Sequence, residues 1–329
     1  MILLLGASGY IGRTFASELR RRGHSFIPLT RRAFDYTRFD FLFDYLRTMR
    51  PQFLVNAAAY SGNGSGRLND AEREKMMAAN AILPQMIARV CMMTNTPWGH
   101  ISSGSIYTGA KITRPGGIEV EKDLRRPEIL ELFEAHPERF HGFTEWDVPN
   151  FSFRAGLCSF QSGTRALAEE AIRDIGQCYI WRVRQPFNER EESCNWLWRL
   201  RREDDVPNCV DSFSHLEDSA KACLDLWEME APFGIYNMTN PGAMTMHHIA
   251  EEMGRVLKSG THPLGAEKEE STREPQSNCI LDAAKLLKTG VKMRPIAEAF
   301  ADCLDRLRLT SRRAKPVHLA PTRQSVAFV

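Results

Sequence analysis

A doubly wound parallel α/β sheet of the Rossmann type, with a smaller C-terminal substrate lobe, is the fold this sequence predicts. Three observations predict it. Residues 1–5 form a short, continuous apolar run, as a strand buried on both faces requires. Gly6, Gly9 and Gly12 follow at once. Apolar runs and helical periodicity then alternate through the first hundred residues, at the pace of right-handed crossover units.

Each element follows from its local pattern. Ile11, Phe15 and Leu19 recur at helical spacing, and Gly23 ends that helix. FIPLT reads as the second strand, residues 41–49 as a helix, and FLVNAAAY as a buried strand ending in small residues. Residues 72–93 read as one long helix that Pro84 should kink or break. WGHISSGSIY is the next strand. Beyond Tyr107 the pattern lapses. Residues 108–153 hold Pro115, Pro127, Pro137 and Pro149 and read as an enlarged loop, with one short helix at about 127–134. A loop of that length usually serves binding or covers a site. A helix around 161–170, the strand CYIWRVRQPF, the helix WLWRLRRE and a Pro-Asn turn at 207 come next. A helix over 216–230, the strand FGIYNMTNPG and helices near 245–258 and 294–308 close the fold. The expected division is 1–185 for dinucleotide binding, 186–310 for the substrate lobe and 311–329 for a loosely docked tail.

Composition narrows the partners. Lys plus Arg is 43 against 41 for Asp plus Glu, with no long basic tract before Arg312, so nucleic acid is not an expected partner. No wholly apolar run reaches the ~20 residues that span a bilayer, so no membrane partner is expected either. The 8 cysteines lack a Cys-x-x-Cys pair and read as free thiols of a reducing cytoplasm. His247 and His248 each precede a glutamate by four residues; solvated helix charges explain that spacing better than a metal, and no metal is expected.

The glycine turn carries the first chemistry. Between a strand and a helix, Gly6, Ser8, Gly9, Tyr10, Ile11 and Gly12 let backbone amides approach a diphosphate, with the helix N-terminus contributing positive partial charge. After the second strand stand Arg31 and Arg32, with no acid before Asp35. A basic residue there suits a ribose 2′-phosphate, so NADP(H) is favoured and NAD(H) is the second choice.

GASGYIG, VNAAAY, the Ala79-Asn80-Ala81 step and HISSGSIYTG together resemble the extended short-chain dehydrogenase/reductases, and within them the dTDP-4-dehydrorhamnose reductases. SFQSGTRALAEE, RVRQPF, VPN and GIYNMTNPG, with Glu145, Asp147, Pro149 and Asn150, are closer still to the nucleotide-sugar 3,5-epimerase/4-reductases. The resemblance spans about residues 1–305. It implies that Ala57, Ala58, Ala59 and Tyr60 border the cofactor and that Pro186 lies near the nicotinamide. Ser103 falls on the residue that holds the substrate carbonyl. Gly104, Tyr107, Asn188 and Trp196 are expected to help bind a nucleotide-diphosphate sugar, Trp196 by stacking a base. That stacking competes with an equally good reading of its helix as a buried stripe.

Two departures matter. The family's Tyr-x-x-x-Lys pair is here Gln161 and Arg165, and its cysteine two residues past the active-site hydroxyl is Ser105. Arg165 keeps a charge for the ribose, but Gln161 has no proton to give. A missing general acid costs about 10² to 10⁴ in rate. The sequence therefore predicts a ketoreductase-like nucleotide-sugar protein with a non-standard active site. The alternative is a regulatory or scaffold subunit that binds NADP(H) without turnover. Either reading leaves room for a homodimer.

Overall fold

The computed structural model describes residues 1–62, 68–192, 194–202, 208–257 and 275–313. Its first half alternates strand and helix: β1 (Ile2–Leu5), α1 (Tyr10–Arg21), β2 (Phe26–Leu29), α2 (Phe39–Met49), β3 (Phe53–Asn56), α3 (Asp70–Met77), α4 (Leu83–Met93) and β4 (Trp98–Ser103). An excursion follows, made of β5 (Ala110–Arg114), β6 (Gly117–Glu121), α5 (Pro127–Ala135) and β7 (Phe140–His141). The chain returns through α6 (Phe160–Ile172), β8 (Cys178–Val183), β9 (Pro186–Phe187), α7 (Trp196–Arg202), β10 (Val210–Asp211) and β11 (Ser214–His215). It closes with α8 (Leu216–Glu228), β12 (Gly234–Asn237), β13 (Met244–Thr245), α9 (Met246–Leu257), α10 (Ala284–Lys288) and α11 (Ile296–Arg313).

Six strands pair in parallel in the order β2-β1-β3-β4-β8-β12. From β1 the chain runs outward to β2, then crosses back past β1 to reach β3. The direction of winding therefore reverses between β1 and β3, and ligands of open α/β sheets sit at the carboxyl ends of such a strand pair. Both faces are covered. Phe15, Leu19, Trp181, Ala222 and Leu226 bring α1 and α8 onto one face. Leu42, Leu46, Ile87, Val90 and Ile172 bring α2, α4 and α6 onto the other. A third core, with Phe187, Leu197, Trp198, Phe213, Met244 and Phe300, belongs to the C-terminal half.

The structure differs from the sequence reading at three places. Pro84 does not end its helix. A π turn, Ala78–Ile82, joins α3 to α4, so that the Leu83 amide reaches back to Ala78 O and the wider turn accommodates the proline ring. The joined helix Asp70–Met93 is the one among the described residues long and apolar enough to cross a bilayer; half of that apolar window is buried against the rest of the protein.

Residues 108–153 are not a plain loop. Strands β6, β5 and β7 form an antiparallel sheet, and with α5 they enclose Ala110, Ile112, Leu124, Ile129 and Phe140 together with Val210 and Ile280. Strands this short, broken by prolines and charges, carry too little alternation to be read from sequence. Finally, the last helix continues to Arg313, through the first residues expected to be tail. Residues 314–329 and the turn at 207 lie outside the described residues.

Two buried arginines leave β8 and tie the halves together. Arg182 meets the Glu169 carboxylate of α6 through Nε at 2.9 Å and Nη2 at 2.7 Å, and its Nη1 donates to the Tyr107 hydroxyl at 3.0 Å. Ser102 Oγ donates to the same glutamate at 2.5 Å. Arg184 pairs with buried Asp211. Removing one member of such a pair strands the other charge in the core. Glu169→Ala should therefore lower unfolding free energy by about 3–5 kcal/mol in a denaturant titration.

Acid sensitivity is expected at Asp218. Burial is the largest single influence there and works upward. Hydrogen bonds from His215 and Arg294, with Asn240 also donating, outweigh it and hold the carboxyl down at about 2, from 3.8. A depressed folded value gives stability that is present above pH ~4 and disappears as pH falls toward 2, here roughly 2 kcal/mol. Asp218→Asn should flatten that part of the stability–pH curve.

Candidate dinucleotide site

The turn after β1 is built from backbone alone. Gly6 takes a φ of +73°, and a Cβ there would stand 2.6 Å from Ala58 N. A Cβ on Gly12 would stand 2.1 Å from Gly6 O. Gly9, the N-cap of α1, is less crowded: its Cβ would meet Gly6 O at 3.3 Å. No side chain caps α1, and its first turn carries no acid, while Arg20 and Arg21 stand in the last turn. Amides at the start of α1 and the positive end of its dipole are thus left for an anion. Ser8 and Gly9 are exposed, and Tyr10 and Ile11 are partly so.

The opposite wall, residues 57–60, is held by two buried asparagines that sequence reasoning did not assign. Asn56 Oδ1 accepts from Ala58 N at 3.1 Å, and its Nδ2 faces His100 Nδ1 at 3.1 Å. The amide orientation puts the imidazole proton on Nε2, which is buried without a partner. Burial, with Arg165 adding to it, drives His100 down to about 3, so the ring is neutral. Asn80, in the π turn, accepts from Tyr60 N at 2.9 Å and donates to Tyr60 O at 2.8 Å. An asparagine closing the apolar strand FLVN was the available signal, because a buried amide requires partners.

At the end of β4, Ser103 Oγ donates to Ser105 Oγ at 2.9 Å and accepts from Ser105 N at 3.1 Å. Gly104 between them is buried, and its carbonyl accepts from Cys279 at 3.3 Å. Burial raises that thiol to about 12, so it stays protonated. Helix α6 starts at a proper N-cap, Ser159, whose oxygen accepts from Ser162 N. Gln161 is half-buried, and its side-chain amide has no hydrogen-bond partner among the described residues.

Arg165, one turn on, is 6% exposed. Its Nη1 donates to Ile101 O at 2.8 Å, and its Nε is buried without a partner. Burial lowers the guanidinium to about 10, with Glu169 opposing, so it remains charged near neutrality. One nitrogen of the guanidinium is thus engaged with the sheet backbone.

Other expected site residues divide. Arg31 and Arg32 are exposed just past β2. Pro186 is half-buried, and Gln185 before it holds a φ of +40°, a strained conformation for a non-glycine residue. Tyr107 is fully buried, stacked on Phe143, with its hydroxyl donating to Asp147 O at 2.6 Å, and burial pushes that phenol up. Asn188 is buried and accepts from the Tyr10 hydroxyl at 2.9 Å. Trp196 packs against Phe213, ring centres 5.0 Å apart, while Leu197, Trp198 and Leu200 are core, as the buried-stripe reading has it. The described cysteines are free, His247 pairs with Glu251 at 2.9 Å, and no cluster of three metal-binding side chains occurs among the described residues.

Fold and cradle together define a Rossmann-type α/β protein with a glycine turn at its switch point. In comparison with known proteins, the chain is similar to dTDP-4-dehydrorhamnose reductases. The family model described as RmlD substrate binding domain matches residues 1–128. The bifunctional dTDP-4-dehydrorhamnose 3,5-epimerase/dTDP-4-dehydrorhamnose reductase of Arabidopsis thaliana is 23% identical over 301 residues, covering 90% of each chain. The chain spans only 35 to 40% of the length of three trifunctional UDP-glucose 4,6-dehydratase/3,5-epimerase/reductase proteins of that plant, at 23 to 24% identity. Among solved structures, the UDP-rhamnose synthase of Acanthamoeba polyphaga mimivirus superimposes with a TM-score of 0.73 at 16% identity, over 93% of this chain and 98% of that one. The dTDP-4-dehydrorhamnose reductase of Bacillus anthracis, solved in complex with NADP, gives 0.68 at 16% identity, over 94% and 97%.

The cradle predicts an order of sensitivity. Gly6→Ala and Gly12→Ala should each weaken dinucleotide binding by about tenfold or more and lower the melting temperature, because backbone must move to admit the methyl group. Gly9→Ala should be the mildest of the three. Calorimetric titration and thermal melts of the three variants check this.

Proposed function

We propose that the chain binds a nicotinamide dinucleotide, NADP(H) ahead of NAD(H), together with a nucleotide-diphosphate sugar. It then acts as a ketoreductase-like member of the extended short-chain dehydrogenase/reductases with a non-standard proton-handling face. The observation that carries this reading is the side-chain-free turn at Gly6, Gly9 and Gly12, closed against Ala58 and opening on an uncapped helix. Exposed Arg31 and Arg32 at the end of β2 support the 2′-phosphate preference. The whole-length likeness to the bifunctional Arabidopsis protein supports the sugar class. In this reading residues 1–185 hold the dinucleotide and 186–310 supply most of the sugar site.

When bound, the dinucleotide supplies or accepts a hydride. The chain's own residues position the carbonyl and handle its charge. Ser103 would hold the carbonyl oxygen by turning its proton away from Ser105 Oγ. Gln161 would add an amide N–H, which stabilises developing charge but cannot be released as a proton at neutral pH. Arg165 keeps a buried positive charge behind that face. Without a general acid, the barrier rises by ~3–5 kcal/mol.

A second reading, cofactor binding without turnover in a regulatory or scaffold subunit, draws on one observation. The titratable side chains of β4 and its exit are moved out of working range, His100 down to about 3 and Tyr107 upward.

Saturating NADPH should raise the stability of the chain by about 2.7 kcal/mol at a hundred times Kd. An unchanged melting temperature and no heat on titration would defeat both readings. Consumption of a dTDP- or UDP-linked 4-ketosugar with NADPH separates them. Gln161→Tyr combined with Arg165→Lys should raise ketoreductase turnover by about 10² to 10⁴. A double variant that binds both ligands and stays inert would show that the aligned positions do not converge on a carbonyl.

A further inference from the structure

Arg13 sits where helix electrostatics disfavour a cation. It is the fourth residue of α1, at the end whose dipole is positive, in a helix with no acid in its first turn. Its Nη1 donates to Ser8 O at 2.6 Å, which folds the guanidinium back over the glycine turn. Its Nη2 pairs with the Glu192 carboxylate, brought from 179 residues along the chain. The segment that carries Glu192 is fastened to the turn a second time, where the Tyr10 hydroxyl donates to Asn188 Oδ1 at 2.9 Å. Asn195 holds the shape of that segment by donating to Asn188 O at 2.6 Å and to Arg190 O at 2.7 Å.

A carboxylate from the C-terminal half thus neutralises the positive corner at the start of α1. The pair is open to solvent, with side-chain exposures of 44% for Arg13 and 24% for Glu192. A diphosphate seated on the amides of residues 10–12 would lie beside the same guanidinium. Arg is well suited to share hydrogen bonds with either a carboxylate or a phosphate. Both anions cannot keep it closely without repelling each other.

Resting on the dinucleotide reading above, we propose that Arg13 is a ligand of the cofactor's diphosphate and that Glu192 holds its guanidinium in the cofactor-free chain. Binding exchanges one anion for the other and loosens residues 188–192 from the glycine turn. Affinity for the dinucleotide is then set partly by a carboxylate that never touches it. The coupling runs both ways: whatever draws residues 188–192 away from the turn strengthens cofactor binding.

The test is calorimetric titration of NADPH and of inorganic pyrophosphate into the wild type, Glu192→Gln, Arg13→Ala and the double variant. Glu192→Gln should tighten both ligands by about 3- to 10-fold, because it removes the competitor. Arg13→Ala should weaken both by about tenfold or more. Adding Glu192→Gln to Arg13→Ala should then change nothing further. Independently of any variant, amide hydrogen exchange across residues 188–192 of the wild type should rise when NADPH saturates. Glu192→Gln affinity equal to or below wild type, or exchange at 188–192 unchanged by NADPH, would overturn the exchange of anions. A wild type that takes up no NADPH at all would instead remove the dinucleotide reading on which it rests.

Discussion

Close approach of backbone to backbone at the end of β1 is the constraint on which the rest of the molecule depends. Gly6 lies so near Ala58, and Gly12 so near Gly6 O, that neither position tolerates a single added carbon. That contact joins the two loops flanking the point where the sheet changes its direction of winding. It leaves the uncapped amides at the start of α1 beside the Arg13 guanidinium, which folds back onto Ser8 O. The walls are fixed from behind: Asn56 and Asn80 each use a buried amide to hold the loop 57–60 in one shape. A site prepared this way loses little conformational entropy when an anion arrives.

Behind the expected reaction face the protein is just as ordered. Ser102, Glu169, Arg182 and the Tyr107 hydroxyl form one buried chain of hydrogen bonds from α6 through the sheet to the residue 143–147 region. Arg165 adds a cation whose donor is already engaged by Ile101 O. These groups set where α6 lies against β4, and so where Gln161 and Ser103 stand relative to one another. Cys279 is held as a thiol and His100 as a neutral ring.

How much of this was readable from residues alone follows the physics of each signal. β1, α1 and β3 were legible because continuous apolar runs and glycine spacing are local patterns. The parallel order of the sheet followed from the alternation of strand and helix. The module β5-β6-α5-β7 was not legible, since its strands run from two to five residues and its core is completed by Val210 and Ile280 from far along the chain. The fate of Pro84 depended on a π turn, which has no sequence signature of its own. Within the site, the glycines and small residues were visible as types. The roles of Asn80 and Glu192 were not, because each depends on a partner distant in sequence. Tyr107 and Trp196 show the converse: an aromatic at a suggestive position carries no sign of whether its ring faces a ligand or the core.

The arrangement gives the dinucleotide site and the proton-handling face separate supports. The first relies on glycine and asparagine geometry, the second on α6 and its buried ion pair. A change at the second therefore need not disturb the first.

A crystal structure of the chain grown with NADPH addresses the central claim most directly. The account predicts the diphosphate within hydrogen-bonding distance of the backbone amides at the start of α1, with the adenosine toward Arg31 and the nicotinamide toward Pro186. A dinucleotide lodged elsewhere, or a crevice between Gly6 and Ala58 that stays closed with NADPH in excess, would contradict it.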